Sequence, residues 1–343
     1  MNDRFLRACR RLPVDATPVW FMRQAGRYMP EYRALRERYG MLELCRTPEL
    51  AAQVTLQPVR AMDVDAAILF SDLLVPLAPM GLTFDFVKGE GPQFDNPIRS
   101  AAEVARVRPI DPAAELPFVL ESIRQVKAEL EVPLIGFVGA PFTLASYCIE
   151  GGPSRDFART KSMMYTEPEA WHTLCARLAD MAGAYLRAQI AAGVDAVQVF
   201  DSWVGQLGAA DYREFALPHT RRVFDAIADL DVPSIHFGVG TAALLEDMTT
   251  AGSTVVGADW RTPIDRAWQL IGADKAIQGN LDPTVLLGPW SRVRTAVEDI
   301  LSRVGGRPGH IFNLGHGVLP ITSPDVVRRV VRLVHQLTTT RPR

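Results

Sequence analysis

The sequence predicts a closed (β/α)8 barrel, eight parallel strands alternating with helices, on three observations. Short apolar runs recur to the end of the chain, each closing on small or polar residues. Helical patterns lie between them, and no Gly/Ser/Pro linker interrupts the alternation. Runs this short and this continuously hydrophobic suit strands buried on both faces of a parallel sheet. Residues 1–343 are therefore expected to form a single domain.

The eight runs are, in order, "VWFMRQ" (19–24), "AAILFSD" (66–72), "LIGFVGAP" (134–141) and "AVQVFDS" (196–202), then "SIHFGVG" (234–240), "VVGADW" (255–260), "AIQGNLD" (276–282) and "IFNLGHG" (311–317). Among the helices, Ile123, Val126 and Leu130 recur at i, i+3, i+7, as do Leu178, Met181 and Tyr185 before a stop at Gly193. Two joints are nearly the same, "LEVPLIGF" (130–137) and "LDVPSIHF" (230–237). In each a Val-Pro pair ends a helix and starts a strand, where proline is tolerated at the first position. The residues beyond the ~250 of an ordinary barrel are assigned to extended βα segments after the first three strands. The terminal "VVRRVVRLVHQL" reads as the last barrel helix, valines inward and arginines in water, in preference to a membrane-surface amphipath. The alternative, an open doubly wound sheet, calls for a phosphate-cradling glycine motif after the first strand; "GVGTAA" (238–243) is the nearest approach.

Composition excludes several classes of function. Hydrophobic residues make up 48% and charged residues 22%, as in ordinary globular proteins. A net charge of −2 gives no basic footprint for nucleic acid. The four lysines, Lys88, Lys127, Lys161 and Lys275, stand against 33 arginines, most of which reflect genomic composition. The four cysteines are scattered without a CxxC, which suits a reducing compartment and no disulfide framework. The opening "MNDRFLRACRR" is too charged for a secretory signal, and no run approaches the ~18 apolar residues of a membrane span. The expectation is a soluble, cytoplasmic protein with no membrane partner.

A barrel active site lies at the carboxyl ends of the strands. Those ends carry Arg23, Gln24 and Arg27; Ser71 and Asp72; Thr143, then Tyr147; Asp201 and Ser202; His236; Asp259; Asn280 and Asp282; and Asn313 with His316. Two guanidinium forks four residues apart suit a substrate with more than one anionic arm, the alternative being structural ion pairs to Glu31 or Asp72. Asp72 in "SDLL" fits a helix cap as well as a catalytic carboxylate. Tyr147 has a core reading, and Ser202 in "FDSW" a capping one; without GxSxG it is no hydrolase nucleophile. His316, in "NLGHG", stands between glycines that allow close backbone approach to a ligand, whereas His236 reads as a satisfied buried histidine. Asp259 and Asp282 read as loop and cap carboxylates. The six histidines form no HxH or HExxH and no cysteine stands beside any of them, so no metal is expected. No lysine falls at a strand end, which argues against Schiff-base chemistry. The residues alone describe a cofactor-free barrel enzyme for a carboxylate-rich substrate.

"PVWFMRQAGRYMPEYR" (18–33) resembles the N-terminal signature of the uroporphyrinogen decarboxylase family. "NDRFLRA", "ILFSDLLVP", "GFVGAPFTLASYCIEGG", "QVFDSWVGQLG", "QGNLDP" and "FNLGHGVLP" follow as further family-like blocks in family order. The resemblance implies one barrel, a cytosolic homodimer, no cofactor, and decarboxylation of the four acetate side chains of uroporphyrinogen III to methyls, giving coproporphyrinogen III. It further implies a catalytic set of Asp72, Arg23 and Tyr147 within a substrate-binding set of Arg23, Gln24, Arg27, Asp72, Tyr147, Ser202 and His316. In that scheme Asp72 faces the pyrrole N–H groups while Tyr147, Ser202 and His316 meet side-chain carboxylates. The proton donor stays open between Arg23 and Asp72. Corrinoid-linked methyltransferases share the barrel superfamily but bind zinc through H-x-C and a later cysteine, where this chain has His236-Phe237-Gly238 and "NLGHG".

Overall fold

In the computed structural model, which describes residues 2–87 and 89–340, seven parallel strands form one curled sheet. They are β1 (Ala67–Ile68), β4 (Leu134–Gly139), β5 (Ala196–Asp201), β6 (Ser234–Gly238), β7 (Val255–Gly257), β8 (Ala276–Gln278) and β9 (His310–Ile311), neighbours in that order. A separate antiparallel hairpin pairs β2 (Phe84–Val87) with β3 (Gly91–Phe94). Lys88, residue 1 and residues 341–343 lie outside the described residues, and with them the ends of the expected domain and the placing of Lys88 away from the mouth.

The eighth expected strand, 19–24, departs from the forecast. Only Val19 bridges, in parallel, to Phe312. Around it the chain still spans the gap between the sheet's two edges. The Phe312 amide donates to Pro18 O at 2.9 Å, and the Asp65 amide donates to Val19 O at 2.8 Å. Past Met22 the ladder stops, because the Gln24 amide turns back onto Phe21 O and Arg23 takes φ +60°. The apolar lead belongs to the barrel wall; the polar tail is a turn.

The Val-Pro joints work as expected. Pro133 O accepts from Ala67 N, and Pro233 O accepts from Val197 N. A proline without an N–H can thus open a strand by giving only its carbonyl to the neighbour. Proline also opens helices Pro30–Arg36, Pro48–Met62, Pro117–Glu129, Pro141–Glu150, Pro168–Ala192 and Pro324–Thr338, where its missing donor costs no intrahelical bond. Gly193, at φ +119°, ends the longest of them. Leu178, Met181 and Tyr185 are buried along it, and Val327, Val330, Val331 and Val334 along the last helix. The long excursions fall where expected, after residues 18–22, after β1 and after β4.

Inside the ring a polar chain crosses the strands. Trp20 Nε1 donates to Gln278 Oε1, and Gln278 Nε2 donates to Gln198 Oε1, both at 3.0 Å. Phe137, Phe200 and Phe237 form edge-to-face contacts across β4, β5 and β6. Phe200 stands two residues beyond Gln198 on the same strand face, nearer the carboxyl end. The closing seam has its own anchor. Asp65, 2% exposed, accepts from Val19 N at 2.7 Å, Arg4 Nη1 at 2.6 Å, Asn2 Nδ2 at 3.0 Å and His335 Nε2 at 2.7 Å. One carboxylate ties the first helix, the last helix and both sides of the closure. Among the described residues, no helix is long and apolar enough to cross a membrane.

Candidate active site

Arg23 leaves the barrel wall in a left-handed backbone conformation, which non-glycine residues seldom adopt and which clusters at functional sites. Its turn is held from beneath by Gln24. That residue is fully buried, with Oε1 accepting from Phe21 N at 3.1 Å and Nε2 donating to Ala66 O at 3.0 Å. Its own carbonyl accepts from the Tyr28 hydroxyl at 2.8 Å. The amide of Gln24 is thus committed to backbone, while Arg23 and Arg27 are exposed. Among the described residues neither arginine forms an ion pair, so the alternative of a structural bridge to Glu31 or Asp72 is not what the geometry displays.

Asp72 follows β1. Its Oδ1 accepts from Leu74 N at 2.9 Å, the capping use the sequence suggested, and its other oxygen has no hydrogen bond among the described residues. Burial raises its pKa, opposed by the Leu74 amide and then by the positive charge of Arg23. Tyr147, half-buried on Pro141–Glu150, is pushed up to about 12 by burial and by Asp72, with Arg23 pulling the other way. Asp72, Arg23 and Tyr147 therefore share one electrostatic field. Tyr147 also lies on the ring of Trp203, centroids 3.8 Å apart.

Ser202 and Trp203 come directly after β5, and a buried link fixes them there. Thr143 Oγ1 donates to Asp201 Oδ1 at 2.9 Å and accepts from Trp203 N at 3.3 Å. Thr143→Val removes both bonds and slackens the Trp203–Tyr147 stack. We predict a drop of about tenfold in kcat/KM and about 1–3 kcal/mol in stability, recovered by Thr143→Ser. Steady-state kinetics with urea denaturation checks this, and unchanged kinetics would refute the link.

His316 is half-buried after β9, and the Gly317 amide donates to its Nδ1 at 2.6 Å. That bond leaves the proton of the neutral ring on Nε2, a donor for a carboxylate. Burial, followed by the charges of Arg23 and Arg261, lowers its pKa to about 4. The sign follows: a depressed histidine pKa adds stability that is complete above about pH 6.5 and is lost as pH falls toward 4. An NMR titration should find the ring neutral at pH 6 in the free protein; a midpoint near 6.5 would contradict this environment. The flanking glycines also serve the packing of the protein around His316. A Cβ on Gly317 would lie 2.5 Å from Arg23 Cδ, and one on Gly315 would lie 2.3 Å from Trp260 N. Both glycines admit neighbouring protein chain, the Arg23 stem and the Trp260 backbone.

The remaining strand-end groups go elsewhere. His236 lies against Phe224 on the outer side of the sheet, with Asp201 Oδ2 at 3.6 Å. It is buried, as expected, and among the described residues neither ring nitrogen has a hydrogen-bond partner, where the sequence reading expected a satisfied histidine. Asp282 caps the turn at Thr284, and Asp259 accepts from Gly240 N and Arg261. Trp203, stacked on Tyr147, and Arg261, just after β7, stand near the strand ends without having been named from the sequence. The first follows Ser202 in "FDSW", a signal that was present; the second is one arginine among 33. Among the described residues, no three His, Cys, Asp or Glu side chains cluster as a metal site.

The family described as "Uroporphyrinogen decarboxylase (URO-D)" matches residues 1–337. A protein named uroporphyrinogen decarboxylase from Sorangium cellulosum is 54% identical over 339 residues, 98% of this chain and 97% of that protein. One of the same name from Salinispora tropica is 56% identical over 338 residues, 98% of this chain and 91% of its own length. Among solved structures, a methyltransferase from Methanosarcina mazei superposes with TM-score 0.78 at 20% identity, covering 98% of both chains, a likeness of fold.

Proposed function

The chain belongs to the uroporphyrinogen decarboxylase family, and from that membership we propose that it converts the four acetate side chains of uroporphyrinogen III to methyls, releasing coproporphyrinogen III. It is a carboxy-lyase of tetrapyrrole biosynthesis. The finer reading, that of the whole chain as one cytoplasmic, homodimeric barrel domain without a cofactor, is part of the same proposal.

The observation that carries the assignment of the chemistry is Asp72: one oxygen capped by Leu74, the other open, Arg23 acting on it, Tyr147 in the same field. Loss of CO2 from an acetate leaves an electron pair that a neutral pyrrole cannot accept. Protonation of a ring carbon beside nitrogen makes the pyrrole an iminium-like cation that takes up the pair. CO2 departs, a proton reaches the new exocyclic methylene, the ring proton leaves, and the net change is one proton for one CO2. An ionised Asp72 at the pyrrole N–H groups stabilises that cation as it forms, a preorganised electrostatic role. Arg23 and Arg27 hold carboxylates that the chemistry does not consume at that turn, with Tyr147, Ser202 and His316 as neutral donors. Gln24, its amide tied to Phe21 and Ala66, serves by fixing the Arg23 turn.

Oxygen-free incubation with uroporphyrinogen, followed by oxidation and chromatographic counting of carboxylates, tests the proposal. Descent from eight carboxylates to four is expected. Tight binding with all eight retained would leave a porphyrinogen-binding barrel in place of an enzyme.

A further inference from the structure

We infer that Arg261 is a third substrate-facing guanidinium, and that it holds one of the four carboxylates that survive the reaction. The inference rests on the reading of the mouth proposed above.

Arg261 stands just after β7 on a segment clamped from several sides. Asp259, 3% exposed, accepts through Oδ2 from Gly240 N at 2.5 Å and Arg261 Nη1 at 2.6 Å, and through Oδ1 from Arg261 N at 3.0 Å. The buried Asn280 amide donates to Asp259 O at 2.8 Å and Thr262 O at 2.7 Å. The guanidinium lies over the Trp260 ring, 4.1 Å from its centroid. An arginine side chain ordinarily loses much rotamer freedom when it is fixed. Here a buried carboxylate and an aromatic face fix it in advance, while 49% of the side chain stays exposed. Its Nε and Nη2 have no hydrogen-bond partner among the described residues. A pre-set, half-open fork beside an anion site binds with little further ordering.

Its place in the mouth follows from the glycines. Gly317 packs on the Arg23 stem and Gly315 on Trp260, which sets His316 between the two arginines. The charge of Arg261 acts on His316 together with that of Arg23. The reacting pyrrole and its acetate lie beside Asp72, on the segment after β1. A group reaching across His316 to Arg261 belongs to a different part of the macrocycle. Such a contact is the same before and after each decarboxylation, so it lowers KM without changing kcat.

The test is Arg261→Met, with Arg261→Lys as the conservative variant and Arg27→Met in parallel. Arg261→Met should raise KM about tenfold, for the eight-carboxylate substrate and for the five-carboxylate intermediate alike. Turnover should change by less than about twofold, and Arg261→Lys should recover part of the KM. An unchanged KM, or a rise confined to the eight-carboxylate substrate, would overturn the inference. If Arg27→Met raises KM and Arg261→Met does not, the inference fails alone. If neither does, the reading of the mouth fails with it.

Discussion

Asp72→Asn is expected to lower kcat by about 10²–10³-fold while KM moves little, because the charge it removes is wanted only once the pyrrole becomes a cation. Asparagine keeps the size of the side chain and can still accept from the Leu74 amide as Asp72 Oδ1 does. Folding should therefore survive, and stopped assays with a denaturation curve on the same preparation separate the two effects. The pH profile supplies a second reading. Burial holds the Asp72 carboxyl of the free protein above its ordinary value near 3.8, so the acid limb of kcat/KM should lie above that value. Activity is gained as pH rises through the folded pKa and lost below it. An Asn variant with near-normal turnover would remove Asp72 from the mechanism.

Asp65→Ala is expected to destabilise the fold by about 3–5 kcal/mol, the range for breaking a buried ion pair from one side. Four donors lose their acceptor together: the Val19 amide, Arg4, Asn2 and His335. Three of them, Asn2, Arg4 and His335, come from the ends of the chain and one, Val19, from the segment that closes the barrel. Asp15 also pairs with Arg4, at 2.6 Å, but is 67% exposed. Asp15→Ala should therefore cost under about 1 kcal/mol, as surface pairs do. Urea midpoints of the two variants check the contrast, and equal shifts would show that burial of Asp65 is not what matters.

Much of this was legible in the sequence for identifiable reasons. Parallel strands buried on both faces leave continuous apolar runs, so β4, β5 and β6 stood out and their ends supplied candidate residues. Val-Pro pairs and helix-opening prolines gave boundaries because a missing N–H is tolerated in few places. The limits are physical too. Apolar character could not show that "VWFMRQ" leaves the ladder past Met22, since a left-handed turn at Arg23 is set by the tertiary contacts of Gln24. A strand end does not say which face a side chain takes. Asp201 therefore stood among the strand-end candidates but lies behind the sheet, bonded to Thr143. Gln24 illustrates the same limit, a polar residue in a functional motif whose amide is consumed by backbone. Asp65 and Arg261 carried no local signal, because each takes its meaning from partners far away in the chain.

The central claim is that one mouth, built on Arg23, Arg27, Asp72, Tyr147, Ser202 and His316, holds the macrocycle during decarboxylation. An oxygen-free crystal structure with coproporphyrinogen bound measures this directly. Pyrrole N–H groups are expected on the free oxygen of Asp72, with the remaining carboxylates on the arginines and neutral donors around it. A macrocycle seated away from Asp72, or with its N–H groups turned to solvent, would contradict it.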